Sequence, residues 1–87
     1  MKLFGLDLEV RAVEVKTSTK TGNPYILLRV EDDHGAWNNV IDRNMDNKPY
    51  YKKGVIADFT LNFMQTKNYA SLSVIDVTIK NDHWLLI

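Results

Sequence analysis

Apolar residues alternate with polar ones in five short runs, and clusters of turn formers cut each run from the next. The breaks fall at Gly22-Asn23-Pro24, at Asp32-Asp33-His34-Gly35, from Asn44 through Pro49 to Gly54, and at Gln65-Thr66-Lys67-Asn68. A period of two places successive side chains on opposite faces, so the runs at 6–16, 25–31, 36–43, 55–64 and 70–80 predict strands. In the first run the apolar set is Leu8 and Val10, then Val13 and Val15. In the last it is Leu72 and Val74, then Ile75, Val77 and Ile79. Each change of parity predicts a β-bulge or a sharp bend. A helical period has little support beyond a short turn through Asp46 to Lys53, which Pro49 limits. Five strands with the first and fifth bent predict an all-β fold, a five-stranded Greek-key barrel whose closure removes exposed edges. A six-stranded SH3-like barrel or a small sandwich is the alternative.

With 87 residues the chain has room for one domain. We place that domain at residues 1–80, followed by an apolar tail at 81–87 that contains Trp84-Leu85-Leu86-Ile87. There is no cysteine, which excludes disulfides and thiolate chemistry. No apolar run reaches the ~18–20 residues that a membrane-spanning helix needs. Asp7 interrupts the N-terminus too early for a secretory signal, so a cytoplasmic, soluble protein is expected. The formal net charge is zero, unlike that of a strongly basic polyanion binder. Its distribution is uneven: Lys16, Lys20 and Arg29 fall in a stretch without acids, and Arg43, Lys48, Lys52 and Lys53 face only Asp46.

An enzyme is not expected. His34 and His83 stand beside acids in a turn and in the tail, with no nucleophile in an evident partnership. Asp32-Asp33-His34 reads as a solvated turn, since three adjacent residues rarely converge on one metal ion. The glycines are scattered, with no phosphate-binding loop. No cofactor, metal or small-molecule substrate is expected.

The aromatic residues say more. Trp37, alternating with Ile41, is assigned to the core, as are Phe59 and Phe63. Tyr50 and Tyr51 either cap a barrel end or join Lys52 and Lys53 in a contact surface. Tyr25 has opposite parity to Ile26, Leu28 and Val30, so it shares the outer face of its strand with Arg29. Tyr69 follows Lys67-Asn68 at a hairpin tip. A flat ring for a base and a cation for its phosphate is the combination that holds unpaired nucleotides.

Three stretches, in order, resemble a known family. Lys20-Thr21-Gly22-Asn23-Pro24-Tyr25, Tyr50-Tyr51-Lys52-Lys53-Gly54-Val55 and Tyr69-Ala70-Ser71-Leu72-Ser73-Val74-Ile75-Asp76 are similar to segments of the filamentous-phage gene V-type single-stranded DNA-binding proteins. The resemblance covers about residues 8–80. It implies an OB-fold, usually a homodimer, that coats single-stranded DNA cooperatively without catalysis in phage or mobile-element replication, in the host cytoplasm if phage-encoded. It implies that Tyr25 stacks on a base, that Leu27 makes an apolar contact on the same face, that Lys20 meets phosphate and that Tyr69 lies at the tip of the loop between strands four and five. Lys16 falls near a further basic position. Val77 stands where the family has a basic residue, so that contact is not expected here.

The expected interface therefore comprises Lys16, Lys20, Arg29, Lys52, Lys53 and Lys67 for phosphates, and Tyr25, Leu27 and Tyr69 for bases. Single-stranded RNA is a near alternative ligand. A rival of another class is a protein-interaction or assembly module on the same barrel, favoured by the neutral charge and the apolar tail.

Overall fold

A computed structural model describes residues 1–80; the tail assigned to 81–87 lies outside the described residues. Strands β1 (Lys2–Thr17), β2 (Pro24–Glu31), β3 (Trp37–Asp42), β4 (Ile56–Gln65) and β5 (Ala70–Ile79) close into a barrel in the order β1-β2-β3-β5-β4. A 3-10 helix, Met45–Tyr50, joins β3 to β4. Adjacent strands are antiparallel except β3 and β5, which are parallel. This is the five-stranded Greek-key barrel expected from the alternation, with OB-fold topology.

Closing five strands requires one of them to serve two neighbours, and β1 does so. Its residues 2–9 pair with β4 and its residues 9–17 pair with β2. The register shift between Val10 and Ala12 is the bend that the change of parity predicted. A second shift, between Gly5 and Leu8, has no such signal, and β1 begins at Lys2 where the alternation suggested Leu6. Asp7 lies in this second bulge at φ 54, a left-handed conformation that aspartate tolerates better than most residues. Its backbone N–H donates to Asp58 Oδ1 at 2.8 Å. The Lys80 ammonium donates to Asp7 and stands 3.6 Å from Asp58, drawing the end of β5 onto the bulge. That hydrogen bond to Asp7 is the main reason the ammonium is held above the ordinary lysine range. In β5 the extra residue is Ile75, which turns outward and is 56% exposed, while Val77 and Ile79 return to the core side.

The core is built from Val10, Ile26, Leu28, Val30, Val40, Tyr51, Val55, Ala57, Phe59 and Leu61. Two sequence assignments are corrected. Trp37 is not core: Val40 and Asp42 face inward on β3, so Trp37 and Ile41 face outward. Phe63 is half-buried near the end of β4 rather than in the core. The physical reason for the first correction is Asp42, whose side is inward although it carries an acid. It is 2% exposed. Its Oδ2 accepts from Tyr51 Oη at 2.6 Å and from Asn47 Nδ2 at 2.8 Å, and its Oδ1 accepts from Asn44 N at 2.9 Å. Burying a carboxylate is costly unless such donors replace water. Tyr51 is thereby the core residue of the tyrosine pair, stacked on Phe59 at 6.3 Å between centroids, while Tyr50 is exposed. Burial first, and then the neighbouring Asp42, push the Tyr51 phenol well above its ordinary range.

Replacing Tyr51 with Phe removes a hydrogen bond to a buried charge and should cost about 1.5–3 kcal/mol of stability, read from urea denaturation. An unchanged midpoint would refute the role assigned to Asp42. Folding holds Tyr51 neutral, so its contribution is complete below about pH 10 and is lost as pH rises toward the raised folded value. The alkaline fall in stability should accordingly be shallower in Tyr51→Phe than in the native chain.

Candidate nucleic-acid interface

Drawing Ile26, Leu28 and Val30 into the core turns Tyr25, Leu27 and Arg29 to the outer face of β2. Tyr25 and Leu27 are half-buried and Arg29 is exposed. The registers extend this row to both sides. On β1, Lys16 pairs with Tyr25, Glu14 with Leu27 and Ala12 with Arg29. On β3, Ile41 pairs with Leu27, Asn39 with Arg29 and Trp37 with Glu31. Three strands thus present one outer surface that carries Tyr25, Trp37, Leu27, Ile41, Lys16 and Arg29, together with the acids Glu14 and Glu31.

Trp37 is the component that sequence reasoning misplaced. It is 54% exposed, and the Arg29 guanidinium lies over its ring, 4.8 Å from the centroid. Such a pair contributes about 0.5–1 kcal/mol at an exposed site. It also holds a cation and an aromatic ring together on the surface. The alternation of segment three was ambiguous, since either parity contains a large apolar residue. Only the inward turn of Asp42 resolves it.

Two loops add the remaining elements. In the β1–β2 loop, Ser18 Oγ accepts from the backbone N–H groups of Lys20 at 3.3 Å and Thr21 at 3.4 Å. Gly22, at φ 75, returns its N–H to Ser18 O at 2.9 Å. This ties the turn and leaves Lys20 exposed beside the start of β2. In the β4–β5 hairpin, Thr66 N donates to Tyr69 O at 2.7 Å, and Thr66 Oγ1 accepts from Tyr69 N at 3.3 Å. Lys67 and Tyr69 are exposed at this tip, Tyr69 by 53%.

The charges are less one-sided than the sequence clusters suggested. Lys16 Nζ lies 3.9 Å from Glu14, so an acid shares the β1 margin of the row. Arg11 is engaged by Glu9 at 3.0 Å and Glu31 at 3.3 Å. Lys52 and Lys53 are exposed in the turn that leads into β4. Their turn is tied to β1 by bonds from Gly54 N to Val10 O and from Val10 N to Val55 O, each 2.8 Å. The structure therefore gathers Lys16, Tyr25, Leu27 and Arg29 on one surface with Trp37. It places Lys20 on the flanking β1–β2 loop and Lys67 and Tyr69 on the β4–β5 hairpin. Asp32 is occupied in its turn, where Oδ1 accepts from the backbone of His34 and Ala36 at 2.9 Å each. Among the described residues no cluster of His, Asp and Glu is placed to hold a metal ion.

No protein-family model matches the chain, and no curated protein matches it. Among solved structures it is similar to the crystal structure of the mitochondrial single-stranded DNA-binding protein Rim1 from S. cerevisiae. The two share 16% identity at a TM-score of 0.68, over 91% of this chain and 94% of that one. The likeness establishes the fold as the OB-fold read above.

In a Trp84→Phe background Trp37 is the only tryptophan. There, Arg29→Ala should increase acrylamide quenching of Trp37 fluorescence while changing stability by less than about 1 kcal/mol. Equal quenching with and without Arg29 would show that the guanidinium does not cover the ring.

Proposed function

We propose that the chain is a non-catalytic single-stranded DNA-binding protein that stacks bases on Tyr25, Trp37 and Tyr69 and neutralises phosphates with Arg29, Lys16, Lys20 and Lys67. The observation that carries this reading is the outer face of β2 and β3, where Arg29 lies on Trp37 in the same row as Tyr25 and Leu27. Base stacking needs exposed rings and tolerates any sequence, and neighbouring cations follow the backbone. Lys52 and Lys53 would meet only a strand that leaves this face toward β1. The fold shared with a protein named for single-stranded DNA binding supports the same reading. The three stretches similar to the gene V-type proteins support a role in phage or mobile-element replication, in the host cytoplasm.

A homodimer fits an open edge on β1. Among the described residues, 2–8 pair with β4 on one side and with no strand on the other. Met1 exchanges both backbone bonds with Phe63, so the alternation of an antiparallel ladder turns the N–H and C=O of Lys2 and Phe4 toward the open edge. Phe4 and Leu6 beside it are 69% and 64% exposed. A second copy adding antiparallel would satisfy both edges by symmetry. Replacing Phe4 with Asp should shift the sedimentation mass to that of a monomer. A native chain that is monomeric at high concentration would eliminate the dimer.

Titration with oligo-dT should quench the intrinsic fluorescence. Contact with about four phosphates gives a slope of log K against log salt near −3. Tyr25→Ala should weaken binding by about 1–3 kcal/mol and leave the fold intact. Absence of binding at low salt would overturn the reading in favour of an assembly module. Competition between matched DNA and RNA oligonucleotides decides the strand type.

A further inference from the structure

The seam between β3 and β5 is the thinnest in the barrel. Its ladder consists of one residue pair, Ile41 with Ser73. Toward the N-terminal ends of both strands the seam opens into a cleft whose lining includes Asn38, Ala70 and Leu72. Past Ile41, where the chain leaves β3, a side chain spans it: Arg43 Nη1 donates to Ser73 Oγ at 3.1 Å. Ser73 stands between Leu72 and Val74, which pack on the core, so its hydroxyl faces outward. The Arg43 guanidinium is therefore held on the same outer side as Ile41, one residue beyond the buried Asp42.

Two relations set Arg43 apart from the other cations of this surface. The first is position. The β2–β3 ladder ends with Ile26 paired to Asp42, and the residues just past that pair are Tyr25 on β2 and Arg43 on the chain leaving β3. On its other side Tyr25 is paired with Lys16 of β1. The tyrosine thus has a cation on each flank. The second relation is charge. Lys16 lies 3.9 Å from Glu14, and Arg29 lies on the Trp37 ring. Arg43 is exposed, and among the described residues its polar contact is a neutral hydroxyl. The Asp42 carboxylate is taken up by Tyr51, Asn47 and Asn44. Among the described residues neither Asp46 of the 3-10 helix nor Asp76 of β5 forms an ion pair with Arg43. A guanidinium has five N–H donors in a planar fork, so one bond to Ser73 fixes its place and leaves a pair of donors for a phosphate.

We infer that Arg43 is a phosphate-binding residue of the interface, and that Ser73 is the positioning residue that holds it across the seam. The inference rests on the single-stranded DNA reading above and adds to it a contact on the β5 side of Tyr25. A nucleotide within a strand has a phosphate on either side of its base. With the base on Tyr25, one of them meets Lys16 and the other meets Arg43, so the strand crosses β2 from β1 toward β5.

The test is titration with oligo-dT across a salt series. Arg43→Gln removes the charge and keeps an amide donor for Ser73. Lys48→Gln removes an equal charge from the 3-10 helix, and Ser73→Ala removes the hydroxyl. Thermal melting confirms that each variant folds. Arg43→Gln should lose about tenfold in affinity at low salt, the range of one charge-assisted hydrogen bond. Its slope of log K against log salt should be shallower by about 0.7, one phosphate contact on a single strand. Lys48→Gln should keep the native slope. Ser73→Ala should lose about threefold in affinity with the slope unchanged, and Ser73→Thr should restore it. A native slope in Arg43→Gln, or an equal change in Lys48→Gln, would overturn the Arg43 contact and leave the DNA-binding reading standing. Native affinity in Ser73→Ala would overturn its positioning role. No binding by the native chain at low salt would overturn both the contact and the reading beneath it.

Discussion

The carboxylate of Asp42 is the group on which the arrangement of the outer surface depends. It is buried at the end of β3, and donors from Tyr51, Asn47 and Asn44 replace the water it gives up. Those three residues lie in or beside the 3-10 connection, so solvating one charge also ties that connection across the barrel. The same constraint sets the parity of β3. With Asp42 inward, Val40 must be inward, and Ile41, Asn39 and Trp37 must face out. A strand displaced by one residue would expose Val40 and drive Trp37 into the core.

Bending is the second determinant. A short chain closes a barrel only if its strands turn sharply, and β1 does so twice. The bulge near Arg11 transfers β1 from β4 to β2, so that among the described residues its first residues are paired on one side alone. The bulge at Ile75 in β5 keeps Leu72 and Val74 on the core side before the turn and Val77 and Ile79 on it afterwards. Near the opposite end of β5, pairing with β3 narrows to one residue pair, and the cleft opens beside it. The open edge and the open seam are thus by-products of closure with few strands.

The neutral net charge has a local explanation. Acids are distributed so that Glu9 and Glu31 engage Arg11, and Asp7 and Asp58 engage Lys80. The cations not engaged in these pairs include Arg29, Lys20 and Lys67, which lie on or beside the aromatic surface. A balanced total is therefore compatible with an asymmetric surface, although Glu14 moderates Lys16 at the β1 margin.

Alternation alone determined the strand count, the barrel, two of the three bulges and the outward row of β2, because a period of two leaves each side chain only two faces. It also placed Lys67 and Tyr69 at a hairpin tip through local turn chemistry. It did not determine the parity of β3, where an acid and a tryptophan compete for the interior. Hydrophobicity favours burying the ring, and only the donors that Asn44, Asn47 and Tyr51 supply once the chain has folded back make burial of the acid favourable. Among the described residues the open edge of β1 and the cleft between β3 and β5 likewise arise from which strands meet in space. Those pairings are long-range, and no local pattern in the chain encodes them.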